Sequence, residues 1–309
     1  MDKHLFGPVP SRRLGISLGV DIIPFKTCSL DCIYCECGRT TNHTIKRQRF
    51  FSPDIIKDEM EEFLKDNVHL DYITFSGSGE PTLNCDIGAL IKDIKKKTNT
   101  PVAVLTNGTL LYDKNVREDL AEADLILPSL DAISENVFKK INRPAEGLDT
   151  EKMIRGLSEF RKIYKGDIWL EVFISHGIND SEEELLKLYE TIKKIGPERV
   201  QLNSLDRPPA YKGAEPVNIK FLEKIKKNWS DLAVEIIKRT KIREEISSFS
   251  KNLENSIINT INRRPLTLED LMSLTGKSRL ELLKYIDVLE KDKKIEPKIV
   301  EDKIFYSPV

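Results

Sequence analysis

Cys28-Ser29-Leu30-Asp31-Cys32-Ile33-Tyr34-Cys35 sets three thiols three and then two residues apart in one short loop. Thiolates so spaced can hold three corners of an iron-sulfur cubane and leave its fourth iron unligated, whereas such clusters are normally held by four Cys. A loop that supplies only three implies that something other than a distant Cys completes the site. Two ordinary alternatives compete. Cys32-x2-Cys35 has the spacing of half a zinc site, which Cys37 or His43 could complete. Against zinc, no second C-x2-C or H-x3-H pair occurs in the chain, and Cys28 has no role in a zinc knuckle. Disulfides fit less well, since five Cys is an odd number in a long chain without a secretory segment.

The C-x3-C-x2-C pattern, with the aromatic Tyr34 just before its last Cys, resembles the hallmark of the radical SAM superfamily. The resemblance implies two cofactors, a [4Fe-4S] cluster on Cys28, Cys32 and Cys35, and S-adenosylmethionine chelating the open iron through its amino and carboxylate groups. It also implies reductive cleavage of that ligand to a 5'-deoxyadenosyl radical, with electrons from a donor such as flavodoxin or ferredoxin.

Composition bounds what surrounds the loop. With 309 residues, 39% of them hydrophobic, and only 15 Gly and 15 Pro, the chain can bury a large core and is expected to form one large domain and a smaller one. A formal net charge of -1 gives no global electrostatic case for nucleic acid. The first residues lack the apolar stretch of a signal peptide, and no apolar run approaches the ~20 residues that span a bilayer. The expectation is a soluble, cytoplasmic protein without a membrane partner.

Outward from the loop, Gly7-Pro8-Val9-Pro10-Ser11-Arg12-Arg13-Leu14-Gly15 is expected to be a lead-in without regular structure, because its two Pro and flanking Gly interrupt any ladder. Residues 16–23 read as a buried strand that delivers Pro24-Phe25-Lys26-Thr27 into the cysteines. Residues 1–50 hold eight Lys or Arg against four Asp or Glu, which is either ordinary surface charge or a basic approach suited to a polyanion. Ser52-Pro53 is a helix start signal, and the pattern then alternates. Further strands are predicted at 72–76, 102–106, 125–129, 169–173 and 199–203, with helices at 53–66, 86–97, 114–122, 134–141, 150–164 and 181–195. Six strands with intervening helices argue for an α/β fold with a parallel sheet and right-handed crossovers. The superfamily resemblance makes this a partial (β/α)6 barrel.

In βα barrels active sites gather at the C-terminal ends of the strands. The second strand ends in Phe75-Ser76-Gly77-Ser78-Gly79-Glu80-Pro81-Thr82, where Gly77 and Gly79 let backbone approach a ligand and Glu80 can receive an ammonium. This is similar to the family's Gly-Gly-Glu-Pro element, with Ser78 in place of the first glycine. Asn107, before Gly108, either hydrogen-bonds the ligand or serves the turn. Ser129 and Asp131 stand two apart, so they point the same way. The resemblance has them hold the adenosine ribose, and the alternative for Asp131 is a helix cap. Glu171 lies inside the apolar run Trp169-Leu170-Glu171-Val172-Phe173, where a charge is functional or paired with Lys or Arg. Asn203, with Arg207 nearby, is a candidate contact to the adenosine or the methionine carboxylate. Asn179-Asp180-Ser181 reads as a helix cap. Cys37 is the weak candidate for a catalytic acid, an alternative ligand or an inert neighbour, and Cys85 reads as a small buried hydrophobe.

Past about residue 215 the pattern changes. A helix at 219–228, an apolar segment at 234–237 and a charged connector at 238–251 lead into residues 252–309, which read as a winged helix. Its expected parts are a helix at 253–261, a helix capped by Thr267, a helix capped by Ser278 with the stripe Leu280, Leu283, Ile286 and Leu289, and two strands joined at Glu301-Asp302. Lys277, Arg279 and Lys284 offer a modest basic patch, but residues 252–309 balance ten Lys or Arg with ten Asp or Glu.

The order Gly7-Pro8-Val9-Pro10-Ser11-Arg12-Arg13-Leu14-Gly15, the cysteine loop, Ser76-Gly77-Ser78-Gly79-Glu80-Pro81-Thr82, Ile141-Asn142-Arg143-Pro144, Gly177-Ile178-Asn179-Asp180 and Arg207-Pro208-Pro209 resembles one branch of the superfamily. That branch is the iron-sulfur oxidoreductases grouped with the tRNA wyosine synthases. A separate winged-helix domain and the basic lead-in favour a large substrate, and the resemblance together with the Lys277, Arg279 and Lys284 patch places RNA, specifically tRNA, ahead of an activase or maturase acting on a protein or peptide. An iron-sulfur DNA-binding regulator is disfavoured, since a sensor has no use for Gly79-Glu80. No Cys precedes Cys28, so the upstream cysteines that hold the second cluster of the archaeal wyosine synthase have no counterpart here and a pyruvate condensation is not expected.

Overall fold

The apolar runs with Val, Ile and Leu in succession become the parallel strands, as expected where both faces of a sheet are covered. A computed structural model describes residues 4–66, 68–205, 209–237, 253–254, 257–258, 261, 265–275, 277, 279–300 and 303–309. The elements are β1 (Leu5–Ser11), β2 (Gly15–Val20), β3 (Thr27–Cys28), β4 (Asn42–His43), α1 (Pro53–Leu64), β5 (Tyr72–Phe75), α2 (Ile87–Lys97), β6 (Val102–Thr106) and α3 (Lys114–Leu120). Then come β7 (Leu125–Pro128), α4 (Glu135–Ile141), α5 (Thr150–Ile163), β8 (Asp167–Ile174), α6 (Glu182–Ile195), β9 (Arg199–Ser204), α7 (Ile219–Asn228) and β10 (Val234–Ile236).

Among the described residues the main sheet runs β1-β2-β5-β6-β7-β8-β9-β10. From β2 to β10 every neighbour is parallel. The six expected strands are therefore β2 and β5 to β9 in chain order, and β10 extends the sheet by one more. One expectation fails at the other edge. The lead-in forms β1, antiparallel to β2, with a register shift between Phe6 and Val9. Proline lacks a ladder donor but is tolerated on an edge strand, whose outer side has no partner to lose.

Helix ends follow their local chemistry. Pro53 opens α1 although Ser52 makes no side-chain cap bond. The Ser181 hydroxyl accepts from Glu184 N–H at the start of α6, and Gly196 ends that helix at φ 66°. Asn179 is not a cap: fully buried, it donates to the carbonyls of Asp131 and Phe173 and accepts from Ser175 N–H. The helices bury one stripe each on the sheet, in α2 Ile87, Leu90, Ile91 and Ile94, each worth roughly 1.5–3 kcal/mol of transfer free energy. On the opposite face Ala103, Leu125, Leu127 and Trp169 form a second cluster, closed from below by Leu14 of the β1–β2 turn.

In the C-terminal part, β11 (Leu266–Thr267), β12 (Ile295–Val300) and β13 (Lys303–Pro308) form a sheet in the order β11-β13-β12. Thr267 and Asp270 cap helix Leu268–Thr275 reciprocally, the hydroxyl accepting from Asp270 N–H at 3.1 Å and the carboxylate from Thr267 N–H at 2.9 Å. Helix Arg279–Lys291 buries Leu283, Ile286 and Leu289 of the expected stripe, while Leu280 is only half-buried and Leu282 and Tyr285 are buried beside them. It also packs against β1. The connector at 238–251, Ser278, and Glu301 and Asp302 lie outside the described residues.

Candidate cluster site

The cysteine loop leaves β2 and is stitched to three other segments by backbone hydrogen bonds. Lys26 N–H donates to Ser78 O and Glu80 N–H to Thr27 O, both at 3.1 Å, which fastens the Gly-Ser-Gly-Glu turn to the loop. Asp31 N–H reaches Asn142 O at 3.0 Å, Ile33 N–H reaches Ile141 O at 2.9 Å, and Ala145 N–H reaches Ser29 O at 2.9 Å. Tyr211 N–H also donates to Ile33 O at 3.1 Å, the guanidinium groups of Arg39 and Arg143 each lie over its ring, and its hydroxyl donates to Asp31. The two glycines of the turn serve this packing: a Cβ on Gly79 would stand 2.0 Å from Thr27 O, and one on Gly77 2.1 Å from the Asp21 carboxylate.

Each of the three sulfurs meets an N–H donor. Asn107 Nδ2 lies 3.6 Å from Cys28 Sγ, Asn142 Nδ2 3.5 Å from Cys32 Sγ, and Lys26 Nζ 3.1 Å from Cys35 Sγ. Burial pushes the Cys28 thiol up to about 12 and Cys32 well above its usual value. Cys35 goes the other way, to about 6, because the Cys37 thiol and the Lys26 ammonium favour its thiolate against burial. Cys37, hydrogen-bonded to Cys35 and buried, is raised. Among the described residues no three His, Cys, Asp or Glu side chains close on a point as the ligands of one zinc ion do. Cys85 is exposed rather than buried, because its neighbours Asn84 and Asp86 turn the chain into α2 and leave the thiol outward.

Alternation along the strands puts Glu171 and Phe173 on the face of Trp169, and the β8–β9 register sets Gln201 and Asn203 opposite them. Ser129, the residue after β7, bridges to Glu171. Arg13 donates to Glu171, and Asn203 Nδ2 donates to the same oxygen at 2.9 Å. Glu171 is thus paired, as a charge inside an apolar strand must be. Gln201 is buried with its Oε1 unpartnered by protein. Arg207 lies outside the described residues.

Two buried carboxylates organise the rest. Glu80 accepts from Thr82 N–H at 3.1 Å, from the Thr82 and Thr106 hydroxyls at 2.6 Å each, and from Asn107 N–H at 2.7 Å. Burial raises it all the same. Asp131 accepts from the Tyr34 hydroxyl, from Asn142 Nδ2 at 2.7 Å and from Phe173 N–H at 2.9 Å, so its oxygens are spent on bracing the loop and it caps no helix. Burial lifts it to about 6. Tyr34 stacks on Phe173 with ring centroids 3.8 Å apart and planes 10° from parallel. Asn107 itself does not take the left-handed conformation; Gly108 does, at φ 74°.

The description of the Radical SAM superfamily matches residues 22–189, which contain the cysteine loop and β5 to β8. The chain belongs to the radical SAM superfamily. It is 36% identical over 313 residues to a UPF0026 protein of Methanocaldococcus jannaschii, covering 97% of this chain and 94% of that one. It is also 40% identical over 306 residues to a Brachyspira hyodysenteriae protein named GTPase Obg, covering 99% of this chain but only 45% of that relative's length. Among solved structures, TYW1 with a lysine-pyruvate adduct bound superposes with a TM-score of 0.55 at 20% identity, covering 73% of this chain and 76% of that one, a likeness of fold. The UPF0026 relatives support the branch to which the motif order points.

Radical SAM proteins use a [4Fe-4S] cluster and S-adenosylmethionine. The donor set here fits the cluster: three thiols in one stitched loop, each met by an N–H donor. Sequence reading did not single out Arg13, Lys26, Asn142, Phe173 or Gln201 as site residues. Asn142 and Arg13 stood inside quoted motifs without a role, and Phe173 and Gln201 carry only strand alternation as a signal. Among the described residues no helix is long and apolar enough to cross a membrane.

Proposed function

We propose that Cys28, Cys32 and Cys35 hold one [4Fe-4S] cluster and that the chain cleaves S-adenosylmethionine reductively to a 5'-deoxyadenosyl radical for modification of a large substrate. The observation that carries this reading is the pair of backbone hydrogen bonds, Glu80 N–H to Thr27 O and Lys26 N–H to Ser78 O, which joins the cysteine loop to the Gly79-Glu80 turn. A zinc knuckle or an iron sensor has no reason to fasten those two elements together. The cluster supplies the electron that breaks the carbon-sulfur bond, from a flavodoxin or ferredoxin type of donor. Gly77, Gly79 and Glu80 shape the wall beside it, and Asn107, Ser129, Asp131, Glu171 and Asn203 line or brace the strand ends with Tyr34. Residues 1–237 form the partial (β/α)6 barrel, 238–251 the connector and 252–309 a winged-helix domain. The direct contact of Arg13, beside β2, with Glu171 on β8 supports the curled sheet.

For the substrate we place RNA first, with tRNA ahead of other RNA, on the strength of the branch. A protein or peptide is the second reading, favoured by the pairing of Lys277 with Glu281 at 2.9 Å and of Arg279 with Glu269 at 2.6 Å, which leaves those two cations partly neutralised. Anaerobic reconstitution tests the chemistry: about four irons per chain and 5'-deoxyadenosine on dithionite addition are expected, and a chain that takes up only zinc overturns it. Mass spectrometry of tRNA nucleosides and of the proteome from a deletion strain tests the substrate. A missing peptide modification with every nucleoside present reverses the order.

A further inference from the structure

We propose that Lys26, Asn107 and Asn142 set the reduction potential of the cluster, each by donating an N–H to a different ligand sulfur. The inference rests on the assignment of Cys28, Cys32 and Cys35 as ligands. The three donors come from separate parts of the chain: Lys26 from the approach to the loop, Asn107 from the end of β6, and Asn142 from the residue that ends α4. No local turn brings them together, yet each reaches one sulfur, at 3.1, 3.6 and 3.5 Å.

The two stronger members are placed at a cost. Lys26 is 3% exposed and holds a left-handed φ of 55°, a conformation that side chains with a Cβ rarely adopt. Its buried ammonium faces Cys35 instead of water. Asn142 is 2% exposed, and its amide orientation is settled by two acceptors on the same nitrogen, Cys32 Sγ and Asp131 Oδ2 at 2.7 Å. That orientation leaves Asn142 Oδ1 buried with no protein partner. A side chain chosen only to brace Asp131 would not need to sit against a sulfur and orphan its own oxygen.

Hydrogen bonds to ligand sulfurs withdraw electron density from the cluster and favour its reduced, more negative state, which raises its potential. A full positive charge does more than an amide dipole. The order of effect is therefore Lys26, then Asn142, then Asn107, whose contact is the longest and whose amide is shared with Ser29 Oγ at 2.9 Å.

The test is an EPR-monitored redox titration of the full chain, reconstituted anaerobically as wild type, Lys26→Met, Lys26→Arg and Asn142→Leu, with iron content and circular dichroism measured alongside. Lys26→Met and Asn142→Leu are expected to load the cluster and titrate at more negative potential, Lys26→Met by more, while Lys26→Arg, which keeps a charged donor, stays near wild type. Wild-type potentials in fully loaded Lys26→Met and Asn142→Leu overturn the proposal alone. So does loss of iron or of fold in both, which makes the two side chains supports of the loop. A wild-type chain that takes up no four-iron cluster overturns the cysteine assignment first and this inference with it.

Discussion

Arg13 and Glu171, 158 positions apart in sequence, are in direct contact through guanidinium and carboxylate. Arg13 sits beside β2 and Glu171 on β8, four strand steps away in the sheet order. A flat sheet would part them by roughly 19 Å at about 4.8 Å per step, a gap one arginine cannot cross. The contact therefore ties the curl of the sheet to one ion pair whose side chains are 11% and 18% exposed.

Removing one partner from such a pair leaves the other charge stranded. Arg13→Met is expected to destabilise the chain by about 2–4 kcal/mol, and the double variant Arg13→Met with Glu171→Met by less than either single change. Urea denaturation of the four proteins of the cycle checks it. Additive losses would show that the two residues act independently.

Gly79→Ala puts a Cβ 2.0 Å from the carbonyl oxygen of Thr27, the residue before Cys28. Backbone on that side has to move, so the expected outcome is a chain with reduced iron content after reconstitution and a stability loss of about 1–3 kcal/mol. Gly77→Ala meets only the Asp21 side chain, and its iron content is expected to fall less. Equal iron in both variants contradicts this account.

Glu80→Ala strands the Thr82 and Asn107 N–H groups and two threonine hydroxyls in a buried site. The expected loss is about 2 kcal/mol or more, read as a lower melting temperature of the apo-protein, together with weaker S-adenosylmethionine binding by equilibrium dialysis. Normal melting with lost binding would make Glu80 a pure ligand contact, and the reverse a pure brace.

Asp131 supplies a pH signature. Its folded pKa of about 6 lies above the ordinary 3.8, because burial disfavours the carboxylate. Between those two values the native state binds more protons than the unfolded one, so this group's contribution falls as pH rises from about 4 to 6 and stays low above it. Integrated over the shift, that is about 3 kcal/mol. In apo-protein, Asp131→Asn is expected to flatten the stability profile between pH 4 and 6 relative to wild type, whatever constant offset the amide brings. Parallel profiles would assign the proton elsewhere.

Local chemistry in the chain alone determined the cysteine loop, the alternation of strands and helices and the helix starts, because spacing, periodicity and caps act over a few residues. Ser52-Pro53 and Ser181 show this, opening α1 and α6 where the pattern places them. Only the tertiary structure decided which polar side chains serve the loop. Asn142 and Cys32, 110 positions apart, and Asn107 and Cys28, 79 apart, meet because the sheet brings its strand ends to one side. The edge strand β1 belongs to the same class: its two prolines argue for a loop in isolation, and only the empty side of β2 makes a strand there possible.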